Sequence, residues 1–511
     1  MMPVIIDGET LSINDVVSVA RNLEEVRLSP AARKEVMKCR EFVESLVESE
    51  KVVYGVTTGF GAFDSVYISK EQSDKLQENL ILSHSAGVGD PLPQDIVRAV
   101  MLLRANSLSM GYSGVRVDII ETLICMLNSG VHPVIPEKGS LGASGDLANL
   151  AHMVLVMLGK GEAFHKGERM SGNDAMESAG IQTIKLSSKE GLALINGTQV
   201  ITAIAALLVH DSQILVKTSE ITACMSLEAL KGTARAFDEK IGMVRPHKGQ
   251  IKCADNLRRL TADSEIMESH RYDKKVQDAY SLRCIPQIMG AIRDSLSFVK
   301  EKVEIEINSA TDNPLLFPDE DEVISCGNFH GQVIAISHDL LGIALSEIAS
   351  VSERRIERLV NPQLSELPGF LTEKEGLDSG FMVAHYTAAA LVSENKVFAH
   401  PASVDSIPTS ASKEDHVSMG MAAALKARKI FENVSYVIAI ELLCSAQGID
   451  FRKPLRAGGG AEAAYELVRS RVPHLKDDRI LSIDINKARE MVIRGELVSA
   501  VEKAVGELAG F

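Results

Sequence analysis

Apolar residues at helical spacing are the feature that most restricts how this chain can fold. From Leu340 to Leu359 they recur at three- and four-residue steps, and the pattern stops at Asn361-Pro362, because a proline ends a helix. Similar patterns predict further long helices at residues 95–128, 198–230, 284–308, 381–398 and 420–448. Long amphipathic helices without heptads pack into bundles. The sequence therefore predicts a mainly α fold built on a bundle of long, near-parallel helices.

Strand patterns are few and short. They occur at Val4–Ile6, Val303–Ile307 and Val323–Ser325. Most of the long helical patterns lie between about residues 200 and 450, and no linker rich in proline or glycine interrupts them. We therefore expect one cooperative unit with three regions: a smaller N-terminal region of helices and loops, a central long-helix bundle and a C-terminal helical cap, at residues 1–200, 201–450 and 451–511.

Composition excludes several classes of function. The 511 residues carry a net charge of −15 without basic blocks, which argues against nucleic acid and anionic membranes as partners. The N-terminus lacks the basic segment of a signal peptide, and the longest apolar stretch, Val200–Val209, is too short to span a membrane. Seven scattered cysteines without a CxxC pair indicate reduced thiols and a cytoplasmic protein. The 13 histidines contain no HExxH, so we expect no metal site.

The tripeptide Ala143-Ser144-Gly145 carries an unusual chemical option. Glycine has no Cβ, so the amide nitrogen of Gly145 can attack the carbonyl carbon of Ala143. Loss of two waters, one of them from the Ser144 hydroxyl, leaves a five-membered ring with an exocyclic methylene, an electrophile that ordinary side chains do not supply. Taken alone, the tripeptide is weak evidence, and a turn of small residues before the apolar helix Leu150–Leu158 is the better interpretation of it.

The longer segment Gly139–Ala148 resembles the one that forms 4-methylideneimidazol-5-one (MIO) in the aromatic amino acid ammonia-lyases. The resemblance extends from about Tyr54 to about Gln447. It implies an enzyme that eliminates ammonia from an amino acid, with MIO formed from Ala143, Ser144 and Gly145 and no external cofactor. It also implies a homotetramer in which each active site draws loops from three chains.

The resemblance assigns catalytic roles to three further residues. Tyr54, in Val-Val-Tyr-Gly-Val-Thr-Thr-Gly, matches the residue placed over the substrate β-carbon. A tyrosine has an ordinary pKa near 10, so its use as a base requires an electropositive site. Asn196, in Ala-Leu-Ile-Asn-Gly-Thr, matches the asparagine that bonds near the ring and the substrate amine. Tyr280, in Gln-Asp-Ala-Tyr-Ser-Leu-Arg-Cys, matches a tyrosine beside the ring.

Other positions match substrate contacts. Arg283 lies three residues after Tyr280, on the same face if the segment is helical, and its planar fork suits a carboxylate. By resemblance Arg283 binds the substrate carboxylate and Asn313, in Thr-Asp-Asn-Pro, adds a second contact. Phe329, in Gly-Asn-Phe-His-Gly-Gln, matches an aromatic residue that closes over the active site; packing in the core is the competing interpretation.

Two positions indicate histidine as the substrate. His84, in Leu-Ser-His-Ser-Ala-Gly, matches the family position that faces the substrate side chain. Glu414 lies in Glu-Asp-His-Val-Ser-Met, a string typical of the histidine-specific members. A neutral imidazole offers one donor and one acceptor, which a carboxylate and an imidazole together can satisfy. We therefore expect conversion of L-histidine to trans-urocanate and ammonia, the first step of histidine degradation.

Two departures from the family pattern keep alternatives open. Ser412-Lys413 stands where Asn-Gln is usual, and Asn149 replaces a usual proline. A Lys413 side chain that points inward would pair with Glu414, whereas one that points outward would matter little. The alternative function is therefore an MIO-dependent lyase or aminomutase that acts on tyrosine or phenylalanine. A helical scaffold without the ring and a metal hydrolase are the rivals from other classes.

Overall fold

The computed structural model describes residues 3–49, 53, 58, 70–273 and 276–511. Over these residues the chain is mainly α, as the sequence predicts. The α-helices are α1 Ile13–Arg21, α2 Pro30–Glu48, α3 Lys70–His84, α4 Gln94–Ser109, α5 Val117–Ser129, α6 Leu147–Met157, α7 Gly172–Ser178, α8 Glu190–Ile195, α9 Gln199–Ala229, α10 Glu239–Val244, α11 Lys248–Leu260, α12 Glu265–Ser269, α13 Tyr280–Arg283, α14 Ile285–Glu306, α15 Gln332–Val360, α16 Pro362–Ser365, α17 Met382–Phe398, α18 Gly420–Asp450, α19 Gly459–Arg471, α20 Leu481–Ile493 and α21 Glu496–Val505.

The strands are short and form small sheets. They are β1 Val4–Ile6, β2 Val26–Leu28, β3 Val88–Pro91, β4 His132–Pro133, β5 Pro136–Lys138, β6 Glu162–His165, β7 Glu168–Ser171, β8 Leu315–Phe317 and β9 Glu322–Ile324. Strand β1 pairs in parallel with β2, whereas β3 with β5, β4 with β6, β6 with β7 and β8 with β9 are antiparallel. Sheets of two or three strands leave the helices to supply most of the core.

The chain forms two compact units, each assembled from three segments. The first unit comprises Met1–His210, Lys300–Asp339 and Pro401–Leu425. The second comprises Asp211–Val299, Leu340–His400 and Lys426–Phe511. Every strand of the described residues belongs to the first unit, and most of the length of the four longest helices belongs to the second. The three sequence regions divided near residues 200 and 450 remain a prediction.

Two details of the predicted elements are wrong. The pattern at 95–128 is two helices, α4 and α5, because Gly111 and Gly114 between them adopt φ of +79° and +67°, which a continuing helix does not allow. The expected strand Val303–Ile307 lies mostly within the last turn of α14. There Val299, Val303 and Ile307 are buried, which is the four-residue period of a helix face and not the alternation of a strand. The predicted strand at Val4–Ile6 is confirmed.

Buried ion pairs brace the helices of the second unit. Glu441 of α18 accepts hydrogen bonds from Arg355 of α15 at 2.5 and 2.9 Å, and both side chains are fully buried. Glu220 of α9 pairs in the same way with Arg293 of α14. By length and hydropathy alone α9 and α15 could cross a membrane, but 78% and 61% of their most apolar windows are buried inside the protein. Such burial is what the core helices of a globular fold require.

Candidate active site

The tripeptide Ala143-Ser144-Gly145 lies between β5 and α6, in the first unit, and is fixed by its glycine. Gly145 has φ of +76° and forms a parallel backbone bridge with Gly197. A Cβ atom at Gly145 would lie 2.1 Å from the Gly197 carbonyl oxygen. The same oxygen accepts the amide of Asp146 at 2.7 Å. Both the backbone conformation and the available space therefore require glycine here.

Neighbouring residues hold the loop that contains the tripeptide. The Ser140 hydroxyl donates to the Gly145 carbonyl at 3.1 Å and accepts the Gly142 amide at 3.2 Å. The Leu141 carbonyl accepts the Met419 amide at 2.9 Å. These bonds join both halves of the loop to each other and tie the loop to the segment that precedes α18.

Asp146 joins the end of this loop to the start of α9. Its carboxylate accepts the amides of Val200 and Ile201 at 2.9 and 3.0 Å, at a helix end where negative charge is favoured. Burial raises the pKa of Asp146 to about 6, while the two amides act in the opposite direction. Asp146 thus fixes the tripeptide loop to the start of α9, which is one of the longest helices of the fold.

Asn196 contacts the tripeptide from the end of α8. Its Nδ2 donates to the Ser144 carbonyl at 2.9 Å, and its Oδ1 is buried without a hydrogen-bond partner among the described residues. A buried carbonyl oxygen of this kind is costly unless a donor reaches it. The oxygen therefore suits a ligand that brings an N–H group.

These residues fit an MIO group. Gly145 is held at a positive φ in a narrow space, and it has no Cβ to obstruct the approach of its amide nitrogen to Ala143. Asn196 supplies an amide donor at the Ser144 carbonyl and an unpaired acceptor beside it. The donor set is therefore suited both to a ring formed from the tripeptide and to an amine that approaches it.

His84 and Glu414 lie within electrostatic reach of each other in the first unit. His84 Nδ1 contacts the Leu80 carbonyl at 2.9 Å, so Nε2 is the ring nitrogen left to face a ligand. Burial lowers the pKa of His84, and the Leu80 carbonyl and the Glu414 carboxylate oppose this shift. Glu414 is half-buried and accepts the Thr409 hydroxyl at 3.0 Å. The two residues that the sequence associates with an imidazole substrate are therefore close enough to interact electrostatically.

Asn313 is buried and partly committed to neighbouring backbone. Its Oδ1 accepts the Cys326 amide at 2.7 Å and the Ser325 hydroxyl at 3.2 Å. The preceding Asp312 accepts the ammonium of Lys189 at 2.6 Å, and both side chains of this pair are fully buried. With its oxygen so engaged, Asn313 can offer a substrate carboxylate only its amide nitrogen.

Phe329 is half-buried, so the structure does not place it in the closed core. The next residue, His330, stacks on His416 with ring centroids 5.9 Å apart and planes 4° apart. His416 lies two residues after Glu414. The segments that carry Phe329 and Glu414 are therefore neighbours.

Tyr280 and Arg283 form α13, in the second unit. The Arg283 guanidinium carbon lies 4.7 Å from the centre of the Tyr280 ring, as expected for two residues on one helix face. Tyr280 is 70% exposed, and the Nε of Arg283 is buried without a hydrogen-bond partner in the part of the chain that the structure covers. Tyr54 lies outside the described residues, so its predicted role stays a prediction.

The two departures from the family pattern differ in their surroundings. Ser412 and Lys413 are exposed. Asn149 is fully buried in the first turn of α6, where its Nδ2 donates to the Pro136 carbonyl at 2.6 Å. The asparagine therefore provides a bond from α6 to β5 that a proline at this position cannot make.

Sequence reasoning missed several residues that shape the site. Asp146, Ser140 and Gly197 hold the loop, and Arg104 of α4 donates to the Asn196 carbonyl at 2.7 Å. One signal was readable in advance: Arg104 interrupts an otherwise apolar run in α4, and a charge on a buried face needs a specific partner.

Comparison with known proteins identifies the family to which the chain belongs. The family model for aromatic amino acid lyase matches residues 11–470. The chain is 60% identical over 505 residues to a protein named histidine ammonia-lyase from Alkaliphilus oremlandii, with 99% of each chain covered. It is similar to the crystal structure of histidine ammonia-lyase from Trypanosoma cruzi, with a TM-score of 0.92, 42% identity and 99% and 96% of the two chains covered. It also resembles tyrosine aminomutase from Streptomyces globisporus, with a TM-score of 0.94, 38% identity and 99% and 100% covered.

Proposed function

The chain belongs to the aromatic amino acid lyase family, and on that premise we propose that it is a carbon–nitrogen lyase that converts L-histidine to trans-urocanate and ammonia. This reaction is the first step of histidine degradation. The observation that carries the proposal is the 60% identity, over 99% of both chains, to a protein named histidine ammonia-lyase. The juxtaposition of His84 and Glu414 supports the same substrate.

The electrophile is an MIO group made from the chain itself. The amide nitrogen of Gly145 attacks the carbonyl carbon of Ala143, and two waters leave, one from this condensation and one from the Ser144 hydroxyl. The positive φ of Gly145 and its contact with Gly197 support this closure. Once formed, the group would supply an electrophilic methylene, a centre that would make the nitrogen of an amine a better leaving group.

The remaining residues bind and orient the amino acid. Arg283 pairs with the substrate carboxylate through its planar fork, and Asn313 adds an amide donor. The unpaired Oδ1 of Asn196 accepts a hydrogen bond from the substrate amine. Tyr54 removes the β-proton. Tyr280 lies beside the ring and Phe329 covers the bound substrate.

Glu414 and His84 select the side chain. Glu414 accepts an imidazole N–H, and His84 supports the other end of the ring. A phenyl ring would remove water from Glu414 without giving it a donor, at a cost of about 1–3 kcal/mol or more for a charged group. Discrimination of this kind, by an unpaired polar group in the wrong complex, is stronger than discrimination by shape alone.

We also propose a cytoplasmic homotetramer with shared active sites. All seven cysteines are free thiols, which supports a reducing compartment. Helix α17, in the second unit, exposes Val383 at 55%, Tyr386 at 58% and Val397 at 71%. Apolar residues at this spacing share one helix face, and a face of this kind is usually covered by a partner. A second copy of the chain is the partner that the shared-site arrangement requires.

A tyrosine or phenylalanine lyase or aminomutase is the second candidate. The TM-score of 0.94 to a tyrosine aminomutase is the observation that favours it. An aminomutase differs in the fate of the ammonia, which returns to the β-carbon.

Near-ultraviolet absorbance of the purified protein separates these candidates. L-histidine, L-phenylalanine and L-tyrosine are supplied in parallel, with Ser144→Ala as the control that cannot form the ring. We expect the urocanate band to grow with L-histidine alone and to be absent in the control. Cinnamate or coumarate formation without urocanate would instead establish a phenylalanine or tyrosine lyase and remove the assigned role of Glu414. An aminomutase returns the ammonia and leaves no conjugated product, so its β-amino acid is measured by chromatography of the same reactions.

A further inference from the structure

Arg104 is a buried cation that contacts the backbone of Asn196, and the proposed function gives it no role. It lies in α4, is fully buried, and within the described part of the chain it donates to two backbone carbonyls. Burial lowers its pKa to about 10, while Asp312 and Asp146 act in the opposite direction, so the side chain keeps its charge at neutral pH. A buried charge is expensive to maintain unless its surroundings need it.

The guanidinium binds the end of α8. One terminal nitrogen donates to the Ala193 carbonyl at 3.0 Å and the other to the Asn196 carbonyl at 2.7 Å. The carbonyl end of a helix carries partial negative charge, which a cation stabilises. The planar fork therefore fixes two points of the turn from which Asn196 projects.

The same short segment holds the ring-forming loop. Asn196 donates from Nδ2 to the Ser144 carbonyl at 2.9 Å, and the Gly197 carbonyl accepts the Asp146 amide at 2.7 Å. Arg104 packs closely against this segment, since a Cβ atom at Gly197 would lie 2.5 Å from Nη2 of the guanidinium. The segment Asn196-Gly197 thus links the cation to the tripeptide loop. Asn196 accepts a hydrogen bond from Arg104, and both residues of the segment hydrogen-bond to the loop.

We propose that Arg104 is a positioning residue for ring formation and turnover, which it serves by holding the Asn196-Gly197 segment against Ser144 and Gly145. The part of this proposal that concerns turnover rests on the proposed function. The part that concerns ring formation does not, because closure of the tripeptide needs no substrate. Displacement of a positioned group by about 1 Å can cost about a hundredfold in rate.

The test compares Arg104→Met and Arg104→Lys with the matched control Arg98→Met. Arg98 lies on the same helix and is 3% exposed. Among the described residues it too donates to backbone carbonyls, those of Val19 and Leu127, and to the ring of His132. All three variants lose bonds of a buried arginine. Intact mass measures the loss of two waters over time after synthesis, and kcat and KM are measured with L-histidine.

We expect Arg104→Met to form the ring more slowly than the wild type and to lose about tenfold to a hundredfold in kcat, with KM for L-histidine within about twofold. Arg104→Lys keeps the charge but cannot span both carbonyls, so it falls between Met and the wild type. If Arg104→Met does not fold, Arg104→Lys provides the same test. Arg98→Met is expected to unfold more easily and yet to form the ring and turn over at the wild-type rate.

Two results would overturn the role of Arg104. One is an Arg104 variant, folded, with wild-type ring formation and kcat. The other is an Arg98→Met variant that loses both to the same degree, because the effect would then reflect stability in general. Failure of the wild type to act on L-histidine would instead remove the proposed function, and the mass measurement would still decide whether Arg104 serves ring formation.

Discussion

The backbone conformation at residue 145 requires glycine, and glycine is also the residue that ring closure of the tripeptide needs. The positive φ alone disfavours any residue with a Cβ, at a cost of about 1–2 kcal/mol. The Gly197 carbonyl, 2.1 Å from where a Cβ would lie, adds a steric contact that cannot relax without breaking the bond to Asp146. Both effects exclude a side chain at position 145, whose amide nitrogen must reach the Ala143 carbonyl carbon for the ring to close.

Gly145→Ala is expected to abolish ring formation and urocanate production. The added methyl group would push the tripeptide away from Gly197 and obstruct the attacking nitrogen. Intact mass, which should show that both waters are retained, and the absorbance assay measure these effects. The control is Gly180→Ala, at φ of +70° with nothing within 4 Å of the new Cβ. It should cost about 1 kcal/mol in stability and leave the ring intact; an equal loss of ring formation there would refute the steric explanation.

Asn149 supplies a bond that the usual proline cannot. Asn149→Ala leaves the Pro136 carbonyl without its 2.6 Å donor, so we expect the free energy of unfolding to fall by about 1–2 kcal/mol, with the ring still formed. Urea denaturation measures the change. Asn173→Ala, at an exposed position of α7, is the control and should change stability by less than about 0.5 kcal/mol. A silent Asn149→Ala would mean that the buried amide bond contributes nothing net.

At the scale of elements, the sequence predicts what periodicity can encode. The run from Leu340 to Leu359 lies in α15 because its apolar residues bury one continuous helix face. The break between α4 and α5 was missed because both flanks continue the same apolar pattern across two glycines. At Val303–Ile307 alternating glutamates imitate a strand, but the burial of the preceding turns continues the helix.

The residues of the candidate site also fall into those that a local sequence pattern predicts and those that it does not. The tripeptide and the segments around Asn196, His84 and Glu414 are readable because their motifs are contiguous in sequence. The charge of Arg104 in an apolar run is readable, but its two partners are not, because they lie 89 and 92 residues away along the chain. Only tertiary packing brings a cation of α4 to the end of α8, and no local pattern encodes that meeting.

Helices α15 and α9 meet in the first unit through a buried histidine. The Nε2 of His338 contacts the Ile201 carbonyl at 2.9 Å. Burial lowers the pKa of His338 from 6.5 to about 4. The unfolded chain therefore binds a proton below about pH 6.5 that the folded chain refuses until about pH 4. Stability that is present above pH 6.5 is lost as the pH falls through this window.

We expect His338→Gln to reduce the acid sensitivity of folding. Glutamine keeps a donor for the Ile201 carbonyl but does not titrate. Between pH 7 and pH 5 the wild type should lose about 2 kcal/mol more than this variant, as measured by urea denaturation at each pH. His247→Gln, at an exposed histidine, should retain the wild-type dependence. Identical pH profiles for His338→Gln and the wild type would contradict burial as the cause.

At the scale of the whole molecule, the exposed apolar face of α17 is the feature that a single chain leaves unexplained. A charge placed there would have to be buried if another copy covers the face, and burial of an unpaired charge is strongly unfavourable. If the protein is the proposed tetramer, we expect Val383→Glu to convert it into smaller species in light scattering and to lower activity in parallel. Leu23→Glu, which replaces a side chain 66% exposed elsewhere, should stay tetrameric. A tetrameric Val383→Glu would exclude this face from the interface.

Shared active sites make a quantitative prediction for mixed tetramers. If Tyr54 of one chain serves the ring of another, Tyr54→Phe and Ser144→Ala chains that are unfolded together and reassembled regain complete sites. A site is complete when its ring comes from a Tyr54→Phe chain and its tyrosine from a Ser144→Ala chain, which random mixing at equal amounts gives in about a quarter of sites. We therefore expect about a quarter of the wild-type activity, although each variant alone is inactive.

Mixing Ser144→Ala with Asn196→Ala is the matched control, because Asn196 Nδ2 contacts the Ser144 carbonyl within one chain. Every site in that mixture lacks one group and should stay inactive. Recovery in the control but not in the first mixture would reverse the assignment of residues to chains, and recovery in neither would place Tyr54 and Ser144 in sites that one chain completes alone.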